Sequence, residues 1–153
     1  MRSTYRVLAY IIAAEVVIQA MAIAFAVFGL TKWVDDGGTL DKAAIDSESL
    51  DFTGVIGFPI HGINGMMIIP LIALIFLIVS FFARVPGGVK WAGIVVLLVA
   101  VQITLGILGH DTPVLGALHG LNALAIFAMA LVAARHAQGV GMDTSPASNR
   151  AGV

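Results

Sequence analysis

The sequence predicts an all-α fold, an integral membrane four-helix bundle, and three observations support this prediction. Of its 153 residues, 59% are hydrophobic and 11% are charged, too few polar residues for the surface of a soluble domain. The apolar residues fall in four blocks, each long enough to cross a hydrocarbon core of about 30 Å, which takes about 20 helical residues. The basic residues are distributed unevenly between the connections, as in multi-pass membrane proteins.

The four predicted spans cover about residues 7–30, 54–83, 91–109 and 114–134. The first block is too long for the core of a signal peptide, which has about 7–15 apolar residues, so it is predicted to be an uncleaved span. The predicted bundle therefore comprises residues 1–136. The Gly/Ser/Pro-rich residues 137–153 are predicted to form a flexible cytoplasmic tail.

The positive-inside rule predicts that both the N-terminus and the C-terminus are cytoplasmic. Two basic residues, Lys32 and Lys42, fall outside under this topology. The other six are predicted to lie inside: Arg2, Arg6, Arg84, Lys90, Arg135 and Arg150. The expected location is the plasma membrane, as a multi-pass protein of the bacterial inner membrane type.

Two polar residues interrupt the first apolar block, Glu15 and Gln19, one helical turn apart and so on one face. A carboxyl group in hydrocarbon is costly and usually finds a partner. One interpretation is that Glu15 forms a hydrogen bond to Gln19 or to a neighbouring helix and links two spans. The other is a proton-active or cofactor-facing carboxyl group, and the sequence leaves both open.

The connection over residues 31–53 is the one long loop, and it is acidic. We expect it to be solvated on the outer side, with Trp33 in the aromatic belt at the membrane surface. In the second span, Pro70 is predicted to kink the helix, because proline lacks the backbone N–H and clashes with the preceding turn.

The tetrapeptide His-Gly-(Ile/Leu)-Asn occurs twice, at residues 61–64 and 119–122. Spans two and four run in the same direction, and each histidine lies about 8–11 Å from the outer end of its span. Because ionisable groups inside a membrane usually have a function, we expect His61 and His119 to face each other across the bundle. This arrangement predicts a haem b bound non-covalently, with the two histidines as its axial iron ligands.

The neighbouring residues suit such a site. Gly62 and Gly120 would allow a flat macrocycle to approach the backbone closely. Asn64, Asn122 and Gln102 are predicted to orient a histidine ring or a haem propionate. The chain has no cysteine, which excludes thiolate metal sites, iron–sulfur clusters and covalent attachment of haem through Cys-x-x-Cys-His.

Two other functions fit the same residues. Histidine and asparagine can join helices without any cofactor, as expected for a structural or assembly subunit of a larger respiratory membrane complex. A small transporter or proton path could use Glu15 and Gln19 together with the histidines. The expected partners are the lipid bilayer and either other membrane subunits or a second copy in a homodimer. No basic surface predicts nucleic-acid binding.

Gln102-Ile-Thr-Leu-Gly106, the short turn after it, Leu118-His119 and Ala123 resemble the third and fourth helices of one half of bacterial heme A synthase. The chain is also similar to small four-span membrane proteins of actinobacterial type. Heme A synthase is a tandem of two four-helix bundles with histidines on the second and fourth helices of each. The resemblance implies that His61 and His119 occupy haem-ligand positions of a single half.

The chain departs from this family at three points. It has one bundle instead of two, and it lacks the cysteine pair found in an outer loop of many members. The carboxylate that the family carries shortly before its first histidine is replaced, with Phe58 three residues before His61. Heme A synthase activity is therefore not expected.

Overall fold

A computed structural model describes residues 1–46 and 50–139, and these are helical, turn or loop, with no strand among them. The helices are α1 (Arg2–Asp35), α2 (Lys42–Asp46), α3 (Gly57–Ile63), α4 (Ile69–Ser80), α5 (Gly88–Gly109) and α6 (Pro113–Gly139), with a π-helical segment, Asn64–Ile68, that joins α3 to α4. Four helices in the described residues are long and apolar enough to cross a membrane: α1, the continuous helix from Gly57 to Ser80, α5 and α6. The predicted all-α fold with four candidate spans is confirmed.

The helices extend beyond most of the predicted span limits. The first helix begins at Arg2 and ends at Asp35, because backbone hydrogen bonding continues into the polar residues outside the apolar block. Lys32 and Asp36 form an ion pair one turn apart at its end. The last helix reaches Gly139, so the first residues of the predicted tail are helical. Residues 140–153, and Glu48 of the acidic loop, lie outside the described residues.

The four spans are arranged in a ring. Helix α1 packs against α6 on one side and against α3 and α4 on the other, and α5 packs between α4 and α6. The second and fourth spans are therefore diagonally opposite. Both run from the end that holds the connections 36–56 and 110–112 to the end that holds Met1 and Gly139. We call these ends the loop half (residues 15–35, 50–68 and 100–125) and the terminal half (2–14, 69–99 and 126–139).

The hydrophobic core lies in the terminal half. Its largest fully buried side chains are Tyr5, Ile12, Phe76 and Val95. The Tyr5 ring packs on Phe76 with 4.5 Å between ring centres, and its hydroxyl donates to the carbonyl of Gly88 at 3.1 Å. Most other members are alanines, which let helices approach closely, as in membrane bundles generally.

The loop half is built differently, because α3 packs on α1 through glycines. A methyl group at Gly57 would collide with the carbonyl oxygen of Ala22, and one at Gly29 would collide with that of Thr53, in the segment that leads into α3. The change of packing occurs at the π-helical segment, just before Pro70. Pro70 cannot donate a backbone hydrogen bond to the preceding turn, and the π-helical turn lies just ahead of it. The kink predicted at Pro70 stays a prediction.

Candidate functional site

The two repeated histidines lie side by side in the loop half. The ring centres of His61 and His119 are 6.0 Å apart, and the ring planes make an angle of 58°. The two residues come from diagonally opposite spans, so their side chains meet in the interior of the bundle. Both are partly buried. Their equal depth on parallel spans, inferred from the sequence, accounts for this meeting.

Each histidine is held by a backbone carbonyl of the adjacent helix. The Nδ1 atom of His61 is 3.3 Å from the carbonyl oxygen of Gln19, and that of His119 is 3.0 Å from the carbonyl oxygen of Gln102. A carbonyl oxygen can only accept a hydrogen bond, so Nδ1 carries the proton in both rings. With Nδ1 as the donor, Nε2 is the nitrogen of each ring that could bind a metal ion.

The two asparagines join the same pairs of helices. Asn64 is buried and donates to the carboxyl oxygen Oε2 of Glu15 at 2.7 Å. Asn122 donates to the side-chain oxygen of Gln102 at 2.7 Å and to the carbonyl of Leu98 at 2.9 Å. These bonds connect neighbouring spans, and the bond to Glu15 is the kind of link between helices that one interpretation of this residue predicts.

The sequence repeat is therefore part of a larger repeat of helical hairpins. In the hairpin of α1 with the second span, Gln19 holds His61, and in the hairpin of α5 with α6, Gln102 holds His119. The asparagine of each hairpin bonds to the residue four positions before that glutamine, either Glu15 or Leu98. The two glutamines are hard to pair from the sequence, because 42 residues separate one from its histidine and 17 separate the other.

The two hairpins differ in the state of the glutamine side chain. The amide of Gln102 accepts a hydrogen bond from Asn122. Both amide atoms of Gln19 are buried and have no hydrogen-bond partner among the described residues. Gly65 leaves room beside this amide, since a methyl group there would lie 3.3 Å from Nε2 of Gln19. A buried unpaired amide is costly, so this position suits a polar group supplied by a ligand.

The glycines near the histidines fall into two classes. A methyl group at Gly62 or at Gly120 would meet no described residue within 4 Å, so both face open space in the described part of the chain. Gly106 lies against the ring of His119, and a methyl group there would make a tight contact, 3.1 Å from Cε1 of that ring. Gly116 lies against Gly109, where a methyl group would come within 2.8 Å of the Gly116 nitrogen, and it serves packing of α5 on α6.

The remaining two histidines lie elsewhere. His110 is exposed and follows the last residue of α5. The exposed His136, near the end of α6, stacks on Trp91 with 5.0 Å between ring centres. The Nζ atom of Lys90 is 5.5 Å from the centre of the same tryptophan ring.

The histidine pair is a sparse donor set for a free metal ion, whereas haem iron requires only two ligands from the protein. The described residues contain no cluster of three or more His, Asp or Glu side chains suited to a metal ion. Haem supplies four nitrogens of its own and needs one ligand on each face. His61 and His119, with 6.0 Å between their ring centres, would be the residues that supply these two ligands.

Comparisons with known proteins give no family for this chain. No protein-family profile, curated protein or solved structure matches it. The resemblance to one half of heme A synthase stays a prediction.

Proposed function

We propose that this protein binds one haem b in the loop half, with His61 and His119 as the two axial ligands. The observation that carries the proposal is the paired geometry of the rings: their centres are 6.0 Å apart and both Nδ1 atoms are bonded to carbonyl oxygens. That arrangement fixes the rings and leaves Nε2 of each free to bind iron.

The surrounding residues have separate tasks in this proposal. The carbonyl groups of Gln19 and Gln102 orient the histidines and leave Nε2 as the nitrogen that would bind the metal. Gly62 and Gly120 leave space beside each ligand for a flat macrocycle. Asn64 and Asn122 bond across to the helices that carry the glutamines and so fix the spacing of each hairpin.

The proposed role is electron transfer or haem handling. Bound haem supplies an iron that gains and loses one electron, and histidines on both faces leave no open position for oxygen chemistry. Synthesis of haem A is not part of the proposal.

The orientation of the protein is also proposed. Five of the basic residues in the described part lie towards the terminal half: Arg2, Arg6, Arg84, Lys90 and Arg135. By the positive-inside rule, this distribution supports the proposal that the chain termini are cytoplasmic and that the histidine pair lies near the outer leaflet of the plasma membrane.

The decisive experiment is a reduced-minus-oxidised visible spectrum of protein purified after expression with added haem precursor. Haem held by two histidines should give a sharp α band on reduction. We expect His61→Ala and His119→Ala each to remove most of the bound haem, whereas His110→Ala, which changes an exposed histidine away from the pair, should keep it. A colourless preparation, or equal haem content in all three variants, would rule out the proposed ligation.

A cofactor-free subunit of a larger, respiratory membrane complex is the second candidate. The observation in its favour is that Asn64 and Asn122 already find partners on neighbouring helices without a ligand. Purification with a larger complex in stoichiometric amount, in the absence of haem in this chain, would support this function over the first.

A further inference from the structure

A groove of about 500 Å³ lies in the loop half between the end of α1 and the segment that leads into α3. Four aromatic residues line it: Phe25, Phe28, Trp33 and Phe52. Lys32 and Asp36 form its rim. At its floor, Gly29 lies so close to the backbone of Thr53 that any larger residue there would collide with the carbonyl oxygen.

The groove opens to the side of the bundle that a membrane would cover. Phe28 is 75% exposed and Phe25 is 51% exposed. Helix α1 has 34 residues, and at 1.5 Å per residue it is about 50 Å long, well beyond a hydrocarbon core of about 30 Å. The apolar block ends near Leu30, so the phenylalanines lie at the edge of the hydrocarbon and the charged rim lies among the headgroups.

The charges of the rim favour an uncharged ligand. The ammonium group of Lys32 donates to both carboxylate oxygens of Asp36, and the two charges cancel. Among the described residues that line the groove, this leaves no cationic site for a phosphate headgroup. An ammonium group has three N–H donors, so Lys32 retains one that can reach a neutral carbonyl oxygen.

We propose that this groove binds the head group of a lipid-soluble quinone, with the isoprenoid tail in the bilayer. Aromatic walls suit a flat ring, which gains from stacked and edge-on contacts. The opening between hydrocarbon and headgroups matches a molecule with an apolar tail and a polar ring. This site is separate from the histidine pair, and its proposal does not depend on bound haem.

A series of three packed rings leads from the groove to the turn of α3 that precedes His61. The ring centres of Trp33 and Phe52 are 6.2 Å apart, and those of Phe52 and Phe58 are 6.4 Å apart. Phe58 lies one turn before His61 in α3. Along α1, Phe25 is six residues from Gln19, a rise of about 9 Å. A quinone in the groove would therefore lie in the same half of the bundle as the proposed haem.

Tryptophan fluorescence provides the test, because the chain has two tryptophans at opposite ends of the bundle. Trp91→Phe leaves Trp33 in the groove as the only emitter, and Trp33→Phe leaves only Trp91. Decylubiquinone is titrated into each variant in lipid nanodiscs. We expect saturable quenching of Trp33, and for Trp91 only the linear quenching caused by collisions in the lipid.

In the Trp91→Phe background, Phe28→Ala should raise the half-saturating quinone concentration about fivefold through loss of one aromatic wall. Phe82→Ala is the matched control, since Phe82 is 64% exposed at the other end of the bundle and should leave binding unchanged. The titration is repeated with His61→Ala, where saturation should persist even if no haem is bound. Linear quenching of both tryptophans would overturn the proposal. Displacement of the quinone by decane, which has the alkyl chain but no ring, at the same concentrations as by unlabelled quinone analogues with a ring would also overturn it.

Discussion

The terminal half and the loop half are made of similar apolar helices, yet they are packed in different ways. The buried hydrophobic cluster lies entirely in the terminal half, where alanines alternate with a few large side chains. In the loop half, the interior contains two histidines, two asparagines and two glutamines. The buried residues that are expected to contribute most to stability and the residues of the candidate site therefore lie in different halves of the bundle. Substitutions in the two halves should have different effects.

The largest effect on stability is expected in the terminal half. Phe76 is fully buried and packs on Tyr5, so Phe76→Ala should lower the free energy of unfolding by about 3–5 kcal/mol. Phe28→Ala in the loop half removes a ring that is 75% exposed and should change it by less than about 0.5 kcal/mol. Reversible denaturation in mixed micelles measures both. Equal losses would remove the contrast between the halves.

Gly62 and Gly120, which face open space, allow a test of whether a ligand binds in the loop half. If haem occupies the space beside the histidines, Gly62→Ala and Gly120→Ala should weaken haem binding about tenfold through overpacking. Gly93→Ala in α5 is the control, because a methyl group there also meets nothing within 4 Å.

Without haem, all three substitutions should leave stability unchanged or raise it by up to about 1 kcal/mol, since alanine favours helix over glycine. Haem titration followed by absorbance gives the affinities. Equal affinities in the three variants would place the macrocycle away from Gly62 and Gly120.

The smallest effect concerns the two glutamines and should differ in sign. Gln19→Leu removes an unpaired buried amide and should stabilise haem-free protein by about 1 kcal/mol. Gln102→Leu breaks the bond from Asn122 and should destabilise it by about 1 kcal/mol. Both variants keep the backbone carbonyl that holds the histidine. Parallel denaturation curves measure the difference, and shifts of the same sign would contradict the assigned states of the two amides.

Sequence reasoning predicted the four candidate spans because the length of an apolar block directly reflects the thickness of the bilayer. It also brought His61 and His119 together, because helical rise and chain direction fix their depth. It did not find the carbonyl groups that hold them, since any residue type provides a carbonyl. The role of Gly106 was missed for a related reason: only the fold shows that the ring of His119 lies against its Cα position. The π-helical turn before Pro70 has no residue pattern of its own.

The repeat of the hairpins has a consequence for assembly. Each histidine is anchored within its own hairpin, His61 by Gln19 and His119 by Gln102. In the loop half, the two hairpins meet at these rings, whose centres are 6.0 Å apart. An iron centre bound there would act as a clasp, and its binding energy would be added to the association of one hairpin with the other.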